Sequence, residues 1–566
     1  MVDYDVIVIG SGFGGSVSAL RLTEKGYSVG VLEAGHRFGP DDFARRNWNL
    51  RRFLWFPRLG MRGILRLTLL REVLVLSGAG VGGGSLVYAN TLYEPHDAFF
   101  TDPQWSQITG WRVELAPFYA LAKRMLGVTE SPADTPADHV LKTVGDRLGV
   151  SETFQPTPIG VYLGTPGVEM EDPYFGGMGP SRSGCIFCGA CMVGCRYNAK
   201  NSLDKNYLYL AEANGAVVHP DCEVTDLRLV PGGFWEVTTR RAGPLGWRGR
   251  RRFTADQIVL SAGALGTTRL LLALKEGGRL PGISNQVGHL IRTNSEVILG
   301  ATARGSSVDY SKGVAITSSI HPEPQTHIEA VRYPEGSSLM GFLGTILIDG
   351  GPGMPRPLRY LIHALRHPIR WLRSLSVWRW AERSVILLVM QSYDTSIQVF
   401  RRRGVLGTRL WSRQGHGAPI PTHLPIANQA ARIAAEVMNG DPMSAINEVL
   451  LNRPTTAHIL GGAPIGANPD QGVIDPYHRV FGQPGLHVID GAAVGANLGV
   501  NPALSITALA ERALAMWPNK GDEDPRPSVG SAYHAVAPVT PHTPAVESAV
   551  LGFDPWSDPV PVRGPP

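Results

Sequence analysis

Residues 4–33 read YDVIVIGSGFGGSVSALRLTEKGYSVGVLE, and the fold turns on how they are read. The apolar run 4–9 suits a buried parallel strand. Gly10, Gly12 and Gly15 then satisfy G-x-G-x-x-G, with Phe13 and Gly14 inside the turn. The following SVSALRLTEKG has helical spacing and stops at Gly26, and YSVGVLE is a second strand ending in Glu33. Such a turn aims backbone amides and a helix N-terminus at a pyrophosphate, while an acid about 20 residues on accepts from a ribose hydroxyl. A dinucleotide site in an α/β, Rossmann-like domain is the expectation.

Two further glycine clusters extend this reading. GAGVGGG at 78–84 follows the apolar LREVLVLS and leads through Gly83 to Ser85 and Asn90, as a loop hugging the same cofactor would. QIVLSAGALGTTRLLLAL at 257–274 repeats the order strand, glycine turn, helix. Near the other end, 455–515 holds His458 before Gly461-Gly462, an apolar strand ending in Asp490-Gly491, and Asn501-Pro502 opening a helical run. A lone His before glycines is usually a turn residue. Asn before Pro is a good helix cap, with proline at the first helical position. Their concentration in one stretch suggests a site as well.

The chain has 566 residues, 43% hydrophobic and 18% charged, enough for two intertwined domains around a large core. Its net charge of +5 is too modest to argue for nucleic acid. No apolar run reaches the ~18 residues of a membrane span. With a strand starting at residue 4, no signal peptide is expected, and the expected location is cytoplasmic, with peripheral membrane contact as an option.

Four of the five cysteines lie in CIFCGACMVGC, with Cys185, Cys188, Cys191 and Cys195 at C-x2-C-x2-C-x3-C. This is the spacing of bacterial ferredoxin loops around an iron–sulfur cluster. Arg196 stands where those loops have proline, and there is one such run, so either these four thiols surround one centre or Cys222 joins them. A zinc knot and unligated thiols are the alternatives.

Residues 291–450 change texture. Alternating stretches such as EVILGATA and SVILLVMQS read as an antiparallel sheet, the candidate substrate-binding domain. This divides the chain into a cofactor domain, 1–290 with a returning part 451–517, a substrate domain, 291–450, and a Pro-rich tail, 518–566, expected to be disordered. Two segments are rich in Arg and Trp: 44–72, with Arg45, Arg46, Trp48, Arg51, Arg52 and Trp55, and 356–383, with Arg359, Arg366, Arg370, Trp371, Arg373, Trp378 and Trp380. They read either as solvated cationic faces or as surfaces that meet a membrane or a greasy substrate.

Taken together, GSGFGGSVSALRLTEKGYSVGVLEAG, GAGVGGGSLVYAN, GALGTTRLLLAL, AHILGG and DGAAVGANLGVNPALSITALAER resemble the glucose–methanol–choline (GMC) oxidoreductases, over nearly all of 1–520. Within that family the likeness is to the branch that oxidises 3β-hydroxysteroids of the cholesterol type. The resemblance implies FAD, a GMC-type FAD domain assembled from separated segments, and a substrate domain with an antiparallel sheet. It implies ADP-binding roles for Gly10, Gly12, Gly15 and Glu33, flavin contacts for Gly83, Ser85, Asn90, Asp490 and Gly491, and active-site roles for His458 and Asn501. Glu329, in HIEAVRYPEG, is the best match for the glutamate that moves a sterol double bond from Δ5 to Δ4. The implied partners are a sterol or another bulky lipidic alcohol, with O2 or an electron carrier as acceptor. The cysteine run departs from the family pattern and leaves that acceptor open. Two alternatives remain: a GMC dehydrogenase of another lipidic alcohol passing electrons through the cluster, and an electron-transfer protein.

Overall fold

The computed structural model describes residues 2–243, 249–351, 353–404 and 407–557. The opening stretch folds as its glycine pattern predicts: β1 (Tyr4–Ile9), α1 (Phe13–Glu24) and β2 (Val29–Leu32). β1 and β2 pair in parallel, Val6 opposite Val29. Helix α2 (Trp111–Met125) and strands β3 (Val217–His219), β4 (Glu223–Leu229), β5 (Trp235–Arg240) and β6 (Arg251–Leu260) follow, then helix α3 (Ala264–Glu276). The first sheet runs β3-β2-β1-β6-β5-β4, and a late strand, β13 (Leu486–Val488), returns to pair in parallel with the end of β6. Both faces are covered, so β1 from Val6 onward and β2 are apolar rather than alternating.

The second sheet takes its strands from the middle of the chain: β7 (Val297–Ala303), β8 (Ile316–Glu323), β9 (Thr326–Val331), β10 (Gly344–Ile346), β11 (Ser384–Gln391) and β12 (Gly440–Ala445). Its order is β10-β12-β7-β11-β9-β8, with the short strand Gln155–Pro156 at the β8 edge, and every pairing is antiparallel. Alternation gives it two unlike faces. Leu299, Ile320, Ile328 and Ala330 share one core cluster with residues of the helices Pro136–Leu148 and Pro425–Val437. The neighbours on the strand, His327 and Glu329, point the other way. On the β10 side lie α4 (Arg356–Arg366) and α5 (Pro368–Ser374).

Helix α6 (Ala503–Ala515) packs on α1 and α2 and joins the two ends of the chain through a buried charge network. Arg21 Nε donates to Glu511 Oε2 at 2.7 Å, Arg21 Nη1 to Glu24 Oε2 at 2.7 Å, and the Tyr207 hydroxyl to Glu511 Oε1 at 2.6 Å.

The expectation of a disordered tail is corrected for 518–557; residues 558–566 lie outside the described part. Composition misled because the tail has almost no regular structure of its own, yet its backbone finds partners on α1 and α6. Lys25 Nζ donates to the carbonyls of Trp517 and Val539, Thr543 N donates to Glu24 O, and Val539 N to Ala515 O. Val546, Leu551 and Trp556 are buried in the first core, with Arg21 over the Trp556 ring at 5.2 Å.

Removing one partner of a buried charge network strands the others, at ~3–5 kcal/mol. Glu511→Ala is therefore expected to lower the stability of the protein by about that amount, read from denaturant unfolding, while Glu436→Ala, on an exposed pair with Arg147, shifts it by less than about 1 kcal/mol.

Candidate functional site

The cofactor cradle is built from backbone that tolerates no side chains. Gly10 has φ +100°, and a Cβ there would stand 2.2 Å from Ser261 O; one on Gly14 would stand 1.8 Å from Ile489 O. The first turn of α1 thus presses on the ends of β6 and β13 at once. A Cβ on Gly83 would meet Gly12 Cα at 2.7 Å, so the second glycine loop lies against the first. In contrast, a Cβ on Gly12 or Gly263 would meet nothing within 4 Å, leaving room for a ligand to approach both turns. No side chain caps α1, and its first amides remain available for a pyrophosphate.

Glu33 accepts from Ser11 N at 3.1 Å, Ser11 Oγ at 2.8 Å and Gly35 N at 2.8 Å. A carboxylate has about four lone-pair positions, so it fixes the turn and keeps one for a ribose hydroxyl. Ser85 Oγ donates to Gly82 O and accepts from Leu203 N, which shapes its loop from within. Asp490 accepts from Gly263 N, Thr267 Oγ1 and Ala492 N at 2.6–2.8 Å. Its carboxylate stitches the end of β13 to the start of α3, and burial pushes its pKa up to about 6. Gly491 O accepts from Gly461 N at 2.8 Å, joining this strand end to the His458 segment. A Cβ on Gly461 would stand 1.8 Å from Leu290 O, which explains the glycine pair after His458.

Next to this cradle, His458, Asn501 and Glu329 converge. Asn501 Nδ2 donates to Glu329 Oε2 at 3.3 Å and lies 3.4 Å from His458 Nε2. All three side chains are buried. The helix-cap role open to Asn501 is not taken: Pro502 is the cap residue of α6, and the amide turns toward His458 instead. Asn501 Oδ1 and Glu329 Oε1 make no hydrogen bond within the described residues, so polar capacity is left for a ligand.

Sequence reasoning missed Glu296. It is fully buried, its Oε1 pairs with His458 Nδ1, and its Oε2 accepts from Ala457 N at 2.7 Å. This bond holds His458 with Nδ1 toward the carboxylate and Nε2 toward Asn501. Burial alone would lower the His458 pKa, but Glu296, and then Glu329, outweigh it and raise it. The available signal was a charged residue heading the apolar strand EVILGATA.

Asn294 was missed too. Its Nδ2 donates to Val500 O at 2.7 Å, and its Oδ1 accepts from Leu498 N and Gly499 N, clamping the loop before Asn501 to the segment before Glu296. Asn294 and Ser295 both sit at positive φ, 58° and 47°, a local strain that the clamp holds in place.

From Glu329 a row of imidazoles leads outward. His327 Nε2 lies 3.4 Å from Glu329 Oε1, the His321 ring is 4.5 Å from that of His327, and the His96 ring is 5.1 Å from that of His321. Burial, then the neighbouring imidazoles, lower the His321 pKa to about 3.

The cysteine run forms an irregular loop with Phe187, Gly189, Gly194 and Asn198 in left-handed conformations. Its four thiols line one cavity together with Val161 and Lys200. Cys222 does not join them: it is buried in the core of the first sheet, and its N donates to Glu33 O. Lys200 Nζ donates to the carbonyls of Leu86, Tyr88 and Cys191 at 2.8–3.0 Å, tying this loop to the second glycine loop. Asn90 ends that glycine loop at φ 71°, buried, with its amide beside the Cys191 thiol.

Two outcomes test this arrangement. His458→Ala is expected to slow anaerobic flavin reduction by substrate ~10²–10⁴-fold at unchanged FAD content, the usual worth of a positioned acid–base group. Only neutral His458 can accept a proton, so activity rises with pH through its raised pKa. Glu296→Gln removes the main cause of that rise, and the acid limb of the pH–rate profile is expected to move to lower pH. A limb that stays in place assigns it to another group.

Two family profiles described as GMC oxidoreductase match residues 4–274 and 394–510. The chain is 54% identical to a cholesterol oxidase of Mycobacterium tuberculosis (strain ATCC 25618 / H37Rv) over 98% of both chains. It is 45% identical to a cholesterol oxidase of Acinetobacter baumannii over 92% of this chain and 95% of that one. Among solved structures, pyridoxine 4-oxidase from Mesorbium loti superposes with a TM-score of 0.58 at 16% identity, over 90% of this chain and 98% of that one. A formate oxidase from Aspergillus oryzae RIB40 gives 0.56 at 14%, over 90% and 97%. These last two speak to the fold. With glycine cradle, second sheet and near full-length relatives in agreement, the chain belongs to the GMC oxidoreductases, FAD-dependent enzymes acting on CH–OH groups.

Proposed function

We propose that the protein oxidises the 3β-hydroxyl of a cholesterol-like sterol to the ketone. The observation that carries this reading is the buried meeting of His458, Asn501 and Glu329 beside the glycine cradle. The similarity to two cholesterol oxidases supports the substrate class. FAD, held by the two glycine loops and Glu33, supplies a hydride acceptor when bound.

In this reading His458 Nε2 takes the hydroxyl proton, while Glu296 holds the ring and stabilises the imidazolium that results. Asn501 Nδ2, 3.4 Å from that nitrogen, holds the alcohol oxygen as negative charge grows on it. In the same reading Glu329 moves a proton between ring carbons of the Δ5 ketone, giving the Δ4 ketone. The next acceptor is O2 or an electron carrier, and the cysteine loop bears on that choice.

The sterol is expected to reach the site from a lipid surface. On α4, α5 and the turn after them, Leu358, Leu361, Leu365, Ile369, Leu372 and Trp378 are exposed, with Arg366 and Arg370 exposed among them. Apolar spacing that would normally face a core here faces outward, and the adjoining cations suit anionic headgroups. No described helix is long and apolar enough to cross a membrane.

Anaerobic mixing with cholesterol is expected to bleach the flavin. Bleaching by other lipidic alcohols alone would move the substrate assignment, and bleaching by none would leave an electron-transfer protein. Separately, the FAD-loaded protein is expected to co-sediment with anionic vesicles. The double change Leu361→Asp, Leu365→Asp should abolish this at unchanged flavin content, and equal binding by the variant would remove the docking face.

A further inference from the structure

We propose that Cys185, Cys188, Cys191 and Cys195 hold one cuboidal iron–sulfur cluster, through which electrons leave the flavin singly for a one-electron carrier. This goes beyond the sterol reading and rests only on the flavin being the first electron acceptor.

The thiols are not gathered as closely as a zinc knot gathers its ligands. A tetrahedral zinc with Zn–S bonds of about 2.3 Å brings its sulfurs to about 3.8 Å from one another. Among the described residues, the one group of three potential ligands mutually within 4.8 Å is His96, His321 and His327; the cysteines do not form such a group. They stand around a cavity instead. A cube of iron and sulfide places its irons between the thiolates and so takes ligands arranged around a space.

The loop is also held as a ligand cage has to be. Arg182 Nη2 donates to Lys200 O and its Nε to Asn198 O, closing the loop at its base. Arg196, in place of the ferredoxin proline, donates to Phe43 O at 2.9 Å and pairs with Asp41 at 2.7 Å. The Lys200 ammonium sits within the lining, where it opposes the negative charge of four thiolates and a cluster.

Position supplies the redox argument. The Phe13 ring, in the first glycine turn, is 5.7 Å from that of Tyr88; Lys200 Nζ is 4.7 Å from the Tyr88 ring and 2.8 Å from Cys191 O. Asn90, from the flavin loop, lies beside Cys191. The cage is thus a few side-chain contacts from the cofactor cradle. Ile186 and Tyr197, which line the same cavity, are exposed, 37% and 47%, so the loop reaches a surface where a carrier can dock. The balance is simple. The secondary alcohol loses its hydroxyl proton and a hydride from carbon and becomes the ketone. That releases two electrons and two protons, and two oxidised carriers each take one electron in turn.

The test uses FAD-loaded protein purified without oxygen. About four irons and four sulfides per chain are expected. Reductive titration should take up one electron more than the two the flavin accepts, with a paramagnetic signal from the reduced cluster. Cys188→Ser is expected to lose the iron and the additional electron but keep its FAD. Cys191→Ser repeats the measurement if that protein fails to fold. Zinc in place of iron, or four thiols titrating freely in protein isolated or reconstituted with ferrous iron and sulfide, overturns the proposal. Failure of cholesterol to bleach the flavin in the same preparation sinks the sterol reading and leaves the iron count standing.

Discussion

The architecture depends on an atom that is not there. With no Cβ on Gly14, the first turn of α1 can lie against Ile489 O, at the end of a strand from the far side of the sequence. Gly10 makes the same kind of approach to Ser261. Segments from the start, the middle and the end of the chain are thereby locked at the ends of neighbouring strands of the first sheet, and the second glycine loop is laid on top through Gly83 and Gly12. A cofactor pocket lined by main chain presents fixed N–H dipoles that no rotamer can turn away. The Arg21–Glu511 pair and the tail across α1 hold the same junction from behind.

The second sheet contributes through its period of two. Ile328 and Ala330 belong to the core under the helices, so His327 and Glu329 must face the cradle. A one-residue slip would bury the carboxylate in that core and turn isoleucine to the site. The antiparallel register and the Asn294 clamp therefore do for Glu329, Glu296 and Asn501 what the glycines do for the cofactor.

How much of this was legible followed from how local each signal was. Gly10, Gly12, Gly15 and Glu33 form one continuous motif, and the architecture followed from it. His458 and Asn501 stood out because each sits in a short, peculiar setting. Glu329 rested on thin local similarity, yet it meets Asn501. Glu296 could not be found, since a single acid at the head of a strand shows nothing of a histidine brought to it only by folding. The tail misled for the opposite reason. Its composition reports weak intrinsic structure, whereas its order comes from donors and acceptors that α1 and α6 present. For Asn501, an Asn-Pro pair fits a cap and an active site equally well at the level of sequence; in the fold Pro502 takes the cap position and the Asn501 amide turns toward His458.

The electrostatics of the buried chain point one way. Two buried carboxylates, Glu296 and Glu329, flank one imidazole, and they raise the His458 pKa. In the proposed reaction the same field would favour arrival of the substrate proton on Nε2, because the imidazolium would then be paired with Glu296. The cost falls on the acid side, where the histidine is already protonated and cannot accept. In that proposal a single carboxylate behind the ring would orient His458 and stabilise its protonated form, and the chain just before Glu296 is held at positive φ at Asn294 and Ser295.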